Sequence, residues 1–424
     1  FFFKEKIKYM ELKRVVVTGF GAITPIGNNA QEYWENLVKG VSGAAPITLF
    51  DSTNFKTKFA CEVKNFNPLD HFEKKEAKKM DRNTQLGIVA AREAVSHSRI
   101  IEDNVDKDRV GVIWGSGIGG LETFETEVLG WANSNNIPRF NPFFIPKMIA
   151  DITPGQISIE YGFHGPNYAT VSACASSANA LIDAKMLLQL GKADIIVCGG
   201  SEAAVTASGM GGFNSLMALS TRNDDYKTAS RPFDKDRDGF VLGEGAGCII
   251  LEEYEHALKR GATIYAELSG GGLSADAYHM TAPHPEGLGA FLVMKNCLDD
   301  AGLTPDEIDH INMHGTSTPL GDIAESNAIA KLLGEHAYDI QINSTKSMTG
   351  HLLGAAGVIE AIAAIGTIIY GIVPPTINHF TDDENIDSRL DFTFNHAVKK
   401  DVKVAISNTF GFGGHNACVL FKKL

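Results

Sequence analysis

The chain has 424 residues, 44% of them hydrophobic, with 43 glycines and a mean hydropathy near zero. That is ample for a large core and too much for one simple pair of layers, so two domains or one duplicated unit are expected. A net charge of −13 argues against a general nucleic-acid binder, whose phosphate contacts need a basic surface, but leaves room for a local basic patch.

Residues 1–9 are too charged and too short for the apolar core of a signal peptide. They read as an N-terminal extension ahead of Met10. From there, strand-like apolar runs recur at 14–19, 110–115, 168–173, 193–199 and 247–252. Helical patterns lie between them, at 82–96 and 181–190. A second series follows, with strands at 264–269, 308–313, 341–344, 402–407 and 417–421 and helices at 289–301 and 321–333. The alternation predicts an α/β fold with buried sheets, built from two like halves, 10–260 and 261–424. A duplicated unit of this kind places its site between the halves, where equivalent helix N-termini meet.

Several local patterns have bland readings. Lys74-Lys75-Glu76-Ala77-Lys78-Lys79 is a basic run in an acidic chain, either a solvated helix face or a dock for an acidic partner. Gly115 to Gly120 fits the dinucleotide fingerprint, yet no strand carrying a ribose-binding acid follows, so a tight turn beside a ligand channel is expected. The loop opening at Asp234 begins like a calcium loop but has Gly245 where the bidentate glutamate belongs, and Arg231, Lys235 and Arg237 neutralise its acids. The run 354–373 is apolar except for Glu360 and long enough to cross a bilayer. Its glycines and the closing Pro374-Pro375 fit better with a central helix of a layered protein, and no membrane span is expected. The six cysteines form no CxxC pair; Cys198, Cys248 and Cys418 lie in apolar runs, as in a reduced, cytoplasmic protein.

Cys174 differs from the other cysteines. It lies in Val171-Ser172-Ala173-Cys174-Ala175-Ser176-Ser177, where an apolar strand turns into a helix of small residues. The unpaired N–H groups and the dipole of that helix are expected to favour thiolate, the nucleophilic form. The alternative is an inert core cysteine. Two histidines stand out by their neighbours, His314 in Met313-His314-Gly315-Thr316-Ser317-Thr318 and His351 in Lys346-Ser347-Met348-Thr349-Gly350-His351. His71, His164, His256 and His310 read as surface residues. One cysteine and two histidines at this spacing do not make a structural zinc site. They fit a nucleophile with two imidazoles that donate hydrogen bonds to a developing enolate or thioester oxygen. The glycine-rich turn Phe410-Gly411-Phe412-Gly413-Gly414-His415-Asn416 offers backbone N–H groups for an oxyanion hole.

Together these motifs resemble the β-ketoacyl-acyl-carrier-protein synthases, most closely the type II enzymes of bacterial fatty-acid synthesis. The likeness runs from residue 10 to residue 424. It implies the thiolase-like five-layer α/β/α/β/α fold, a homodimer, and decarboxylative Claisen condensation that elongates an acyl chain by two carbons. Cys174 would carry the acyl chain, His314 and His351 would hold the enolate oxygen of the malonyl unit, and Lys346 with Glu360 would stand behind the histidines. The N–H groups of Cys174 and Phe412 would form the oxyanion hole, with Phe412 and Phe410 at the gate. Thr316 and Thr318 match pantetheine-binding positions, Ile118 an acyl-pocket position, and Asp276 a loop acid near the gate. Lys75, Lys78, Lys79 and Arg139 match contacts to the acidic acyl carrier protein, while Met217 stands where a docking arginine can occur. No resident cofactor or metal is implied, because 4'-phosphopantetheine arrives on the carrier.

Related classes are distinguished by residue choice. Thiolases place a second cysteine in the C-terminal glycine turn, and type III synthases replace the second histidine by asparagine. Neither change is present here. A polyketide or aryl-polyene ketosynthase shares every motif and is the alternative. A chain-length-factor subunit would lack the nucleophile, and a cysteine hydrolase would hydrolyse acyl thioesters without condensing them.

Overall fold

A computed structural model describes residues 12–424; the expected extension 1–9 and Met10 lie outside them. In the first half the strands are β1 (Val15–Ile23), β2 (Val110–Gly115), β3 (Asn167–Thr170), β4 (Ile195–Glu202) and β5 (Gly245–Glu253). The second half supplies β6 (Ala266–Ala275), β7 (His310–Asn312), β8 (Gln341–Asn343), β9 (Val404–Gly411) and β10 (His415–Lys422). β4 and β5 are buried at every position, which is why their Ile, Val and Leu residues run continuously instead of alternating.

Strand order is β8-β7-β9-β10-β6-β1-β5-β4-β2-β3. Counted within each half, both sheets read first-fifth-fourth-second-third, so the same topology occurs twice. The halves meet edge to edge through two residue pairs, Val16 with Glu267 and Val17 with Ala266. We propose the division between residues 260 and 261, in the turn after the helix Tyr254–Lys259.

The principal helices are α1 (Arg82–Ser98), α2 (Ile152–Tyr161), α3 (Ser176–Gln189), α4 (Leu288–Ala301), α5 (Pro319–Leu333) and α6 (Ala356–Tyr370). α1 and α2 cover the outer face of the first sheet, and α4 packs on the outer face of the second with α5 beside it. α3 and α6 lie against each other and against strands of both sheets. This is the thiolase-like arrangement of five layers, with α3 and α6 as its centre. Both are small-residue helices because each must approach two sheets and the other helix at once. The apolar run 354–373 is therefore this central helix: Leu353–Tyr370 is apolar enough for a bilayer and is almost wholly buried in protein.

Each central helix follows the third strand of its half, through residues 171–175 in the first and through the longer segment 344–355, with its short helix Lys346–Thr349, in the second. The turn from β3 carries Cys174; the turn from β8 carries Lys346 and His351. Duplication thus brings Cys174 from one half to one junction with Lys346 and His351 from the other.

Candidate active site

Cys174 is buried, four residues past the end of β3. Ala173 before it has φ +50°, a left-handed conformation that costs a non-glycine residue about 1–3 kcal/mol. The turn has no side-chain cap on α3. Instead, the carbonyls of Ser172 and Ala173 accept the N–H groups of Ala175 and Ser176 at 3.1 and 3.2 Å. The Ser172 N–H donates to Ser176 Oγ at 2.9 Å.

These contacts correct the expectation of a resting thiolate. The first N–H groups of the turn are engaged by its own backbone, and burial pushes the Cys174 thiol up to about 12 against the pull of Lys346 and the Phe412 N–H. Both effects favour the thiol over the thiolate at rest.

An imidazole faces the sulfur. His351 Nε2 lies 3.0 Å from Cys174 Sγ. The backbone fixes His351 at both ends, its N–H donating to Val241 O at 2.8 Å and its carbonyl accepting from Gly243 N–H at 2.9 Å. The His314 ring stands perpendicular to that of His351, centroid to centroid 5.2 Å. Glu325 on α5 orients the His314 loop, accepting the N–H groups of His314 at 2.9 Å and Gly315 at 3.0 Å. Phe410 packs on His314 and Phe240 on His351, at 5.5 and 5.4 Å.

Beneath the rings, Lys346 Nζ and Glu360 Oε1 form a fully buried ion pair at 2.5 Å, without an aligned hydrogen bond. Burial, reinforced by the Lys346 charge, holds both histidines well below the ordinary imidazole range. Both rings are neutral and suited to hydrogen-bond donation. Burial also pushes Glu360 up to about 7 in spite of Lys346.

Cys174, His314 and His351 open onto one cavity of about 530 Å³. Thr316, Thr318, Ile118, Asp276, Phe410 and Phe412 line it too. The Thr316 and Thr318 hydroxyls are 3.0 Å apart. Phe412 is 37% exposed, and the next residue, Gly413, donates its N–H to Met280 O at 2.8 Å. Asp276 holds the same turn from the other side: its N–H donates to Gly414 O at 2.9 Å and its carboxylate accepts from Asn416 Nδ2 at 2.8 Å.

The basic residues are not part of this cluster. Lys75 lies on the exposed short helix Lys74–Ala77, with Lys78 and Lys79 just after it. Lys79 pairs with Glu76 at 2.8 Å and sits 5.9 Å from the centre of the Phe143 ring. That contact brings the run beside the exposed segment that contains Arg139. Met217 stands at the cavity rim, 83% exposed.

Among the weaker patterns, the 115–120 turn does flank the cavity, and the carboxylate of Glu202 takes up the N–H groups of Gly117 and Ile118 that a phosphate would need. The Asp234 loop is salt-bridged, with Arg231 3.7 Å from Asp234 and Arg237 3.2 Å from Asp322. His310 contradicts its surface reading. It is fully buried on β7, bonded to Asn343 Oδ1 at 2.9 Å, and burial lowers it to about 4. Sequence reasoning missed Glu325, Glu202 and Phe240. Glu325 lies one helical turn from Asp322 on α5, and Glu202 is a lone acid closing an apolar strand, so both left a trace; Phe240 left none.

A strained cysteine turn, a neutral imidazole on the sulfur and a second imidazole beside it, at the junction of a duplicated thiolase-like fold, define a thiol-dependent acyl-transfer site. The chain belongs to the beta-ketoacyl synthase family: the family's N-terminal domain matches residues 12–257 and its C-terminal domain residues 265–380. It is 49% identical over 414 residues to the 3-oxoacyl-[acyl-carrier-protein] synthase 2 of Synechocystis sp. (strain ATCC 27184 / PCC 6803 / Kazusa), covering 98% of this chain and 99% of that one. The structure of the ishigamide ketosynthase/chain length factor superposes with a TM-score of 0.90 at 35% identity, over 97% of this chain and 100% of that one. A type II polyketide ketosynthase solved with its acyl-carrier protein, AntDE:AntF, gives 0.90 at 33% identity, over 98% of this chain and 100% of that one.

Proposed function

We infer that this protein is a 3-oxoacyl-acyl-carrier-protein synthase of the second type, which condenses malonyl-carrier protein with an acyl chain held on Cys174. The observation that carries the residue assignment is the 3.0 Å contact of His351 Nε2 with Cys174 Sγ, with His314 stacked edge-on behind it at 5.2 Å.

In the first step Cys174 Sγ attacks the carbonyl of an acyl thioester. His351 takes the thiol proton, and a proton returns to the departing pantetheine sulfur, so both imidazoles end neutral. The oxyanion lies against the N–H groups of Cys174 and Phe412, each worth about two to three orders of magnitude in rate. In the second step the malonyl carboxylate leaves as CO2. Its bonding pair becomes an enolate, whose oxygen accepts hydrogen bonds from neutral His314 and His351. The enolate carbon then attacks the acyl-Cys174 carbonyl. Collapse expels the Cys174 thiolate, which takes up one proton from solvent, and releases the 3-oxoacyl thioester two carbons longer. Thr316 and Thr318 receive the pantetheine arm, the carrier supplies that arm, and the protein needs no cofactor of its own. Lys75, Lys78, Lys79 and Arg139 meet the acidic carrier.

A homodimer in the cytoplasm belongs to the same reading. β3 is a free sheet edge, and next to it Val171 is 64% exposed. Two copies pairing through β3 would cover that edge, and a monomer by light scattering at micromolar concentration would reject the pairing. The six cysteines are all buried and free, as suits a reducing compartment.

The function is tested by mass spectrometry of products formed from malonyl-carrier protein and acyl-carrier primers of several lengths. A 3-oxoacyl product extended by one two-carbon unit is expected. Free fatty acid alone would instead identify a hydrolase, and repeated unreduced extension would favour the polyketide alternative.

A further inference from the structure

Glu202 ends β4 and is fully buried, and no step above uses it. Its carboxylate gathers four donors from two parts of the chain. Oε2 accepts the Gly117 N–H at 2.8 Å and the Gly354 N–H at 3.0 Å. Oε1 accepts the Ile118 N–H at 3.2 Å and the Ser116 hydroxyl at 3.2 Å. Residues 116–118 leave β2 in the first half. Gly354 stands in the second half, three residues past His351. The fit around the carboxylate is tight. A Cβ on Gly117 would lie 2.8 Å from Oε2, and one on Gly354 would lie 2.7 Å from it and 2.3 Å from the Gly117 nitrogen.

The two oxygens have different partners. Oε2 ties the first-half loop to the turn that carries His351. Oε1 holds only the loop, at Ile118 and Ser116, and Ile118 is 43% exposed and lines the cavity beside Cys174. Ser116 is fixed further, since its Oγ accepts the Gly119 N–H at 3.1 Å. Ile118 itself is thus held by Oε1, while Oε2 holds the preceding Gly117 and joins it to the second half.

We propose that Glu202 is a positioning residue that sets acyl-chain length, by fixing the Ile118 wall through Oε1 while Oε2 joins that loop to the His351 turn. The proposal rests on the condensation reading above. It assigns chain-length control to a side chain that touches neither substrate nor the reacting atoms.

The test is Glu202→Gln. Its amide oxygen keeps the two bonds of Oε2. Its NH2 faces the Ile118 N–H and must turn the Ser116 hydroxyl around, so the Ile118 side alone is released. Three readouts are compared with the unsubstituted protein: elongation rates over primers of several lengths, malonyl-carrier decarboxylation without primer, and iodoacetamide alkylation of Cys174. The ratio of kcat/KM for long over short primers should rise about threefold to tenfold, the size of one lost hydrogen bond. Decarboxylation should stay within about twofold, while alkylation should hold or rise, because the Glu202 charge helps to keep Cys174 a thiol. Ser116→Ala removes the hydroxyl from Oε1 and from the Gly119 N–H without changing the Glu202 charge, and should move the ratio the same way by a smaller factor. An unchanged ratio in Ser116→Ala and in folded Glu202→Gln, or equal loss at every primer length and in decarboxylation, would overturn the proposal. Failure of the unsubstituted protein to elongate any primer would overturn the condensation reading instead.

Discussion

The turn that leaves β3 and the turn that leaves β8 occupy the same place in the two halves, yet they are built on opposite principles. The first is a short strained backbone, with Ala173 at φ +50° and small neutral side chains around Cys174. The second is a run buried without a break from residue 342 to residue 368, and it encloses a lysine, a histidine and a glutamate. An unpaired charge there would cost several kcal/mol, so Lys346 and Glu360 are placed together. Duplication supplies the meeting point, and divergence supplies the chemistry. One half offers a buried sulfur on a strained turn; the other offers two imidazoles that burial, reinforced by the Lys346 charge, keeps neutral.

The contrast breaks first at its two principal side chains. Cys174→Ala should abolish acyl transfer, by roughly a thousandfold or more, and leave some malonyl decarboxylation, because the histidine turn is intact. Condensation at near normal rate would remove Cys174 as nucleophile. His351→Ala should impair both steps: decarboxylation should fall by about two to three orders of magnitude, and acylation of Cys174, deprived of the imidazole that takes its proton, should slow by about a hundredfold or more in intact-protein mass spectrometry. Unchanged malonyl turnover in that variant would show that the second half does not hold the enolate.

Titration sharpens the contrast next. Iodoacetamide reacts with thiolate, and burial places the Cys174 thiol at about 12. Each pH unit should therefore raise the alkylation rate about tenfold, or roughly a hundredfold between pH 7 and pH 9, whereas an ordinary thiol near 8.5 would level off. A plateau below pH 9 would restore the resting thiolate. The histidines shift the other way, burial and Lys346 holding them below their usual value. They stay neutral as pH falls through 6.5, so their ring-proton NMR shifts should show no imidazolium step from pH 8 to pH 6. A full imidazolium step near pH 6.5 would mean solvated rings.

Much of this was legible in the sequence, for reasons that also explain the failures. Cys174, His314 and His351 could be picked out because each interrupts an apolar pattern with a residue that the pattern does not need. Alternating strands and helices showed the halves, and the lone Glu360 in an apolar run pointed to a buried partner. Protonation could not be read this way. The thiolate expectation used the dipole of α3, but desolvation and the turn's own carbonyls decide the outcome, and both arise only from tertiary packing. His310 failed similarly: Asp309 and Asn312 stand close to it in the chain, but its strand is paired on both sides and its ring bonds to Asn343 on β8. The Gly270-Gly271-Gly272 run hid the true length of β6. It reads as a strand end, whereas its missing side chains let α4 lie on the strand, where a Cβ on Gly272 would be 2.1 Å from Val293 O.

The smallest expected effect lies away from both turns, on the basic run near Phe143. Lys75 and Lys78 are exposed, and among the described residues neither has an ion-pair partner. An acidic carrier would be drawn there in spite of the chain's −13 charge, since attraction over a Debye length of about 8–10 Å depends on the local patch. The double change Lys75→Glu with Lys78→Glu should raise KM for acyl-carrier substrates about tenfold and leave kcat unchanged. Small thioesters should react as before, because the interior of the site is untouched. High salt should narrow the gap by weakening the unsubstituted protein toward the variant. Equal effects on carrier-bound and small substrates, or a gap that salt does not narrow, would show that these lysines form only a solvated helix face and that the carrier docks elsewhere on the cavity rim.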